Sequence, residues 1–187
     1  MSEIRGELVA LRPWRSSDAP FLFDMYSKWD VQRFIGRRPA VMSDLSQAEA
    51  LLHRLMAVDD PIRGYWAVET IALGELTGTV MVQRIRHSGE TEPSDELEIG
   101  WHFHPDAWGH GYATSAARLA ARHAFDSGAN RLVAVVHPEN EASARVCQRL
   151  GMTDEGITDR YYDGSYRVFV LDGGQLRLTP EGLPAER

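Results

Sequence analysis

At 187 residues, with 43% apolar and 25% charged side chains, the chain is long enough for one domain with a sizeable core and short for two. Its formal net charge of −7 argues against nucleic acid as the main partner, because phosphate binding needs a basic face; it suits a cationic acceptor such as an amine. No apolar run approaches the roughly 20 residues of a membrane span, no signal-peptide pattern opens the chain, and the single cysteine, Cys147, excludes an internal disulfide framework and fits a reducing cytoplasm.

Residues 4–11 alternate and predict a first strand, closed by Pro13. Ser16-Ser17-Asp18 then supplies an N-cap for a helix burying Phe21, Leu22, Met25 and Tyr26. Gly36 and Pro39 break the chain. A second helix starts near Ser43 or Ser46, with Glu49 three residues after Ser46 as in a capping box, and presents Leu45, Ala48, Leu51, Leu52 and Leu55 at helical spacing. Tyr65 to Ile71 and Leu76 to Ile85 read as two strands turning at Gly74, followed by a polar, exposed loop over 86–95. Glu96 to Phe103 is the next strand. An alanine-faced helix to about Ser127 follows, ended by Gly128 as its C′ residue. Arg131 to Val136 is nearly all apolar, as strands buried on both faces are. Pro138-Glu139-Asn140 opens a helix that stops at Gly151. A final strand pair, Met152 onward and Tyr166 to Leu171, turns at Asp163-Gly164, a hairpin signal. This order predicts a mixed α/β (α+β) domain over residues 1–172, with one mostly antiparallel sheet flanked by helices and one parallel crossover, and a polar tail over 173–187.

The segment between the 96–103 strand and the alanine helix is the most informative. Gly109 and Gly111 lie two residues apart, and Ala113, Ala116, Ala117, Ala120, Ala121 and Ala124 follow at helical spacing. A strand, a glycine turn and a helix leave backbone N–H groups unpaired where the helix dipole favours negative charge, and glycines let an anion approach closely. The pattern is a phosphate-binding turn or a purely structural one. It is not a dinucleotide fingerprint, since Thr114 stands at the third glycine position, nor a P-loop, since the turn holds no lysine.

With these elements in order, the chain from Leu11 to Leu171 resembles the GNAT superfamily of acyl-CoA N-acetyltransferases, in its RimJ/RimL-like branch. The likeness rests on Leu11-Arg12-Pro13 with Asp18, on Leu97-Glu98-Ile99-Gly100-Trp101, on Ala107-Trp108-Gly109-His110-Gly111-Tyr112-Ala113-Thr114, and on Pro138-Glu139-Asn140-Glu141-Ala142-Ser143 closing at Arg149-Leu150-Gly151-Met152. The resemblance implies a GNAT-like domain that uses acetyl-CoA as co-substrate and needs no metal. It also implies that the turn from Trp108 through Gly109, His110, Gly111, Tyr112 and Ala113 to Thr114 wraps the coenzyme pyrophosphate in backbone N–H groups. Trp108 replaces the family's usual Gln or Arg, and Ser115 stands where this branch commonly has Glu.

Attack of a neutral amine on a thioester needs a base, an oxyanion donor and a proton for the departing thiolate. By resemblance, the strand before the turn pairs with the pantetheine arm through the backbone of His102, Phe103 and His104. Glu98 is the first choice of general base, against a purely ion-pairing role, with Glu96 on the same strand face and then His104 as alternatives. His102 and His104 have the spacing of a pair of metal ligands, but no obvious further ligand accompanies them. Asn140, Ser143 and Cys147 share one helix face. Capping and packing explain them plainly, whereas the resemblance brings Asn140 and Ser143 to the coenzyme near its sulfur, with Ser143 relaying a proton. Cys147 occupies the place of a tyrosine acid found in other branches. Trp29, Phe34, Trp66 and Tyr161 are core residues or walls of an acceptor pocket formed by the loops near Trp29–Pro39 and Arg86–Asp95.

The expected function is acetyl transfer from acetyl-CoA to a primary amine, of a peptide N-terminus or a small molecule, in a cytoplasmic enzyme without nucleic-acid or membrane partners; a homodimer is compatible with it. The rival is a non-catalytic acyl-CoA-binding regulatory module that keeps the turn and loses the base and acid.

Overall fold

Gly6 folds the first apolar segment back on itself. Its amide reaches the Val9 carbonyl at 2.9 Å, so the residues expected as one strand form an antiparallel pair, β1 (Ile4–Arg5) and β2 (Val9–Pro13). The computed structural model describes residues 3–176.

After β2 the chain enters α1 (Ala19–Tyr26) through a 3-10 turn. Asp18 stands at the N-cap position of α1, but its carboxylate does not cap that helix. It accepts the Arg15 amide at 2.8 Å and two N–H groups of Arg12 at 2.7 and 3.0 Å. Arg12 also donates to Glu69 at 2.5 Å while only 3% exposed, so one buried guanidinium joins β2, the start of α1 and the next strand. A one-turn helix, α2 (Trp29–Gln32), lies before the break expected at Gly36 and Pro39, in a stretch to which the sequence assigns no element. In α3 (Leu45–Met56) the cap is Asp44, whose carboxylate takes the Ser46 amide at 2.8 Å; the Ser46–Glu49 capping box is not formed. Of its expected apolar face, Ala48 and Leu52 are buried and Leu51 and Leu55 partly so, while Leu45 is exposed.

The remaining elements are β3 (Gly64–Thr70), β4 (Leu76–Arg84), β5 (Leu97–Phe103), α4 (Tyr112–Asp126), β6 (Arg131–Val136), α5 (Glu141–Arg149), β7 (Thr153–Thr158) and β8 (Tyr166–Asp172), with a short α6 (Gly173–Leu176). They form an eight-stranded sheet in the order β1-β2-β3-β4-β5-β6-β8-β7. Every neighbouring pair is antiparallel except β5 with β6. The α/β expectation of a mixed, mostly antiparallel sheet flanked by helices therefore holds. The expected polar tail meets α6 at Gly173, and its residues from 177 onward lie outside the described residues.

Each sheet face has its own core. Helices α1 to α3 cover one face through Trp14, Leu22, Met25, Leu52 and Ala67. Helix α4 crosses the other, against β2, β4 and β5. There Ala116, Ala117, Ala120, Ala121 and Ala124 are fully buried, since small side chains let the helix backbone come close to Val9, Val80 and Ile99.

The β7–β8 connection departs from the expected two-residue turn at Asp163-Gly164. Its tight turn is one residue earlier: Tyr162 and Asp163 both have φ of 54°, and the Gly164 amide reaches the Tyr161 carbonyl at 3.2 Å. The neighbouring β4–β5 loop sets this position, as the Tyr162 amide donates to the Arg86 carbonyl at 3.2 Å and that of Ser88 to Arg160 at 2.7 Å.

Removing one partner of a buried ion pair leaves an uncompensated charge, which costs about 3–5 kcal/mol. Arg12→Met leaves both Asp18 and Glu69 unpaired, so it should lower the melting temperature by roughly 6–20 °C at about 2–4 °C per kcal/mol. An unchanged melting curve would remove the clamp from the stability of this fold.

Candidate active site

Strands β5 and β6 meet at one register point, Glu98 opposite Val133, and part beyond it. The β4 ladder shows which backbone groups face the gap. Ile85 donates to the Glu96 carbonyl and His104 to that of Thr77, both at 2.9 Å, at the two ends of the β4–β5 register. In an antiparallel pair the bonded positions alternate. The even-numbered residues of β5 therefore turn their N–H and C=O to β4, and the odd-numbered ones turn theirs to the gap. The Phe103 carbonyl there is taken by Trp108 Nε1 at 2.9 Å. The Phe103 N–H and both groups of Trp101 remain on the cleft edge. Of the three residues expected to present their backbone, His102 and His104 thus face the other way, and Trp101 stands in a place the sequence did not assign to it. The parity that decides this is set by the partner strand.

At one end of the gap lies the glycine turn. Gly109 and Gly111 have φ of 82° and 80°, a left-handed backbone that a side chain disfavours, and no heavy atom lies within 4 Å of a Cβ built on Gly109. Gly111 is the N-cap of α4 without a side-chain hydrogen bond, so the first-turn amides of Tyr112, Ala113 and Thr114 point onward from the helix. Trp108, Gly109, Gly111, Tyr112, Ala113 and Thr114 all line one cleft of about 1000 Å³. His110 is not among its lining residues; its ring stacks on Tyr112 with centroids 5.4 Å apart.

The same cleft reaches Glu98. Glu98, Gly100 and His102 share the strand face opposite to Ile99 and Phe103, which are buried under α4. The half-buried Glu98 carboxylate accepts from Gln83 Nε2 at 2.9 Å and from the Tyr162 hydroxyl, both on Oε2, while Gln83 Oε1 accepts from the Tyr65 hydroxyl. Burial pushes the Glu98 pKa up, against the two hydrogen bonds, which favour the charged form. The Tyr162 pKa is raised as well, by burial first and then by Glu98, so this hydroxyl stays a donor. Tyr162 and Tyr166 line the cleft although no sequence motif singles them out.

The other candidate bases are placed differently. Glu96 does not line the cleft; its Oε2 is held by His87 Nε2 at 3.0 Å, the Tyr161 hydroxyl at 3.0 Å and Arg160 at 3.3 Å. His104 is buried, with Nδ1 accepting the Asp106 amide at 3.2 Å and Nε2 against Asp24 at 3.1 Å, so both nitrogens have structural partners. His102 lines the cleft, its Nδ1 is 2.8 Å from the Tyr26 hydroxyl, and burial pulls its pKa down to about 4. On α5, Asn140 caps the helix by accepting the Ser143 amide at 3.1 Å, and both residues line the cleft. Cys147 points away from it into the core, where burial pushes its thiol up to about 12. Of the four aromatic candidates only Phe34 lines the cleft. Trp66 is 0% and Tyr161 2% exposed, in the cores, whereas Trp29 is 57% exposed and outside the lining.

Residues 9–153 match the model of a family described as the acetyltransferase (GNAT) domain. The chain is 28% identical over 160 residues to the uncharacterized N-acetyltransferase YoaA of Bacillus subtilis, covering 84% of this chain and 86% of that protein. Among solved structures, RimJ of Mycobacterium smegmatis, in complex with a coenzyme A disulfide, superposes with a TM-score of 0.73 at 21% identity, over 93% of this chain and 87% of that one. RimL, a ribosomal L7/L12 α-N-protein acetyltransferase in complex with coenzyme A, gives 0.74 at 16% identity, over 91% and 97%. At these identities the two structures speak for the fold.

His102 should titrate near pH 4 rather than near the ordinary value of about 6.5. Proton NMR of the ring resonances measures this; a midpoint near 6.5 would mean the ring is solvated and free to act as an acid or base at neutral pH.

Proposed function

This chain belongs to the GNAT acetyltransferase family, and we propose that it transfers an acetyl group from acetyl-CoA to a primary amine by direct attack on the thioester. One observation carries the reading. The open glycine turn, the unpaired edge of β5 and a half-buried carboxylate line a single cleft. The open space at Gly109 and the uncapped start of α4 suit a pyrophosphate, which requires several converging N–H groups and no side chain between.

In this reading the amides of the 108–114 turn hold the pyrophosphate, and the Trp101 and Phe103 backbone groups hold the pantetheine arm. A gap-facing N–H of the same edge donates to the thioester oxygen as charge develops there. Glu98 removes a proton from the acceptor ammonium, directly or through water. The freed nitrogen forms a bond to the acetyl carbon as the carbon–sulfur bond breaks, and the Ser143 hydroxyl passes a proton to the thiolate and regains one from solvent. Gln83 and Tyr162 position Glu98, and Asn140 holds the start of α5 so that Ser143 faces the sulfur. Cys147, buried and protonated, takes no part. The acceptor is a peptide N-terminus or a small-molecule amine, and the acceptor in the name of RimL, the α-amine of a ribosomal protein, supports the first.

A thiol-release assay with acetyl-CoA over a panel of amines and short peptides, beside calorimetric titration of coenzyme A, tests the reading. Turnover supports it, whereas tight binding of coenzyme A without turnover favours the non-catalytic acyl-CoA-binding module. General-base catalysis contributes about 10²–10⁴-fold. Glu98→Gln should therefore cut kcat by ~100-fold or more while coenzyme A affinity holds, and a full-rate variant would remove Glu98 from the chemistry.

The pH dependence has a defined sign. Glu98 acts as a base only when ionised, so kcat/KM falls as pH drops through its raised pKa. Tyr162→Phe deletes a hydrogen bond to the ionised form and should move that acid limb to higher pH. A limb that stays in place would separate Tyr162 from the base.

A further inference from the structure

Among the described residues the cleft is lined by five arginines, Arg33, Arg37, Arg86, Arg145 and Arg149, beside four carboxylates, Asp30, Glu98, Glu139 and Glu141. Arg145 and Arg149 lie on α5. The other three come from the segment after α2 and from the β4–β5 loop, and two of them converge on Asp163.

These three guanidiniums are not equally occupied. Arg86 donates to Asp163 at 2.6 Å and to the Glu90 carbonyl at 2.8 Å, and lies over the Tyr162 ring at 5.8 Å. Arg33 lies over Phe34 at 4.7 Å and is 3.7 Å from Asp30. Arg37 reaches Asp163 only at 3.9 Å with its side chain 61% exposed, and that carboxylate already serves Arg86 and the Gly89 amide at 2.7 Å. Two guanidiniums share one carboxylate, and Arg37 is the more weakly paired of the two.

The position of this guanidinium relative to Glu98 gives it meaning. Asp163 directly follows Tyr162, whose hydroxyl holds Glu98, so one tight turn carries both the partner of the base and the partner of the arginines. Tyr166, whose ring stands edge-on to that of Tyr162 with centroids 6.5 Å apart, lines the same cleft as Arg37, Arg86 and Glu98.

We infer that the acceptor carries a carboxylate beside its reacting amine, and that Arg37 receives that carboxylate while Glu98 receives the ammonium. This rests on the acetyltransferase reading above and names its substrate class. A guanidinium offers a planar pair of N–H donors that matches a carboxylate, and a charge-assisted contact of this kind discriminates where a neutral amide in the same place does not. Two sources share this chemistry, a peptide with an acidic residue at or next to its N-terminus and a free amino acid.

Matched acceptor pairs test it: peptides beginning with Asp or Glu, or with either in second place, against their Asn or Gln counterparts, and free amino acids against their amides. The acid member of the productive pair should lead in kcat/KM by roughly 5-fold or more. That ratio should collapse towards one in Arg37→Ala, persist in part in Arg37→Lys, and favour the neutral member in Arg37→Glu. Whichever pair shows the preference identifies the source. Turnover with equal rates for both members, or a preference that survives Arg37→Ala, overturns the inference and leaves the acetyltransferase reading standing. Coenzyme A binding without turnover of any amine overturns both.

Discussion

The parting of β5 from β6 is the constraint on which the rest of this structure depends. Inside a sheet, a backbone N–H or C=O without a partner has to meet water or a ligand, since burying it unpaired costs free energy comparable to a lost hydrogen bond. Here the strands pair at Glu98 and Val133 and then diverge, which creates an internal edge. The parallel connection through α4 permits it. A crossover helix joins the C-terminal end of β5 to the N-terminal end of β6 and so holds neither pair of ends together, whereas the hairpin-linked strands β3–β4 and β7–β8 stay paired along their length through single register shifts at Val68/Glu69 and Asp154/Gly156.

What surrounds that edge follows from it. The glycine turn sits where β5 hands over to α4, so the uncapped amides of the helix and the free groups of Trp101 and Phe103 belong to one surface. The alanine face of α4 lets this helix lie close on β2, β4 and β5, which fixes where its N-terminus points. On the opposite face, Arg12 fastens the entrance of α1 to β2 and β3 through two carboxylates. That clamp supports the helical layer from which Asp30, Phe34 and Arg37 descend to the cleft. Glu98 occupies the fork itself, and burial there raises its pKa because the charged form loses solvation.

Much of the fold was legible in the sequence, for local reasons. Alternation marked the strands, the spacing of Ala116, Ala117, Ala120, Ala121 and Ala124 marked α4, and Asn140 announced the start of α5 with the cap it makes. The glycine turn was equally local, because the left-handed conformations of Gly109 and Gly111 are a property of those residues. The misreadings share a different cause. Asp18 looked like a helix cap, but Arg12 competes for the same carboxylate. Asp163-Gly164 looked like a hairpin turn, but the β4–β5 loop binds the Tyr162 amide and moves the turn by one residue. Trp66 and Tyr161, by contrast, were left open between core and pocket wall, and the sheet placed them in its cores.

The sequence by itself determined the order of elements, the turn that offers an anion a set of amides, and the family to which the domain belongs, because each is written in neighbouring residues and their spacing. It also put Glu98 ahead of Glu96 and His104 as candidate base. The tertiary structure separates the three by position: it surrounds Glu96 with His87, Tyr161 and Arg160, gives both nitrogens of His104 a partner, and sets Glu98 in the cleft with Gln83 and Tyr162. It likewise decided that Trp101 rather than His102 presents its backbone to the gap, that Tyr162 meets Glu98, and that Arg37 and Arg86 meet at the adjoining Asp163. Strand register, the direction of a parted edge and the meeting of distant loops depend on partners far along the chain, and no local pattern encodes them.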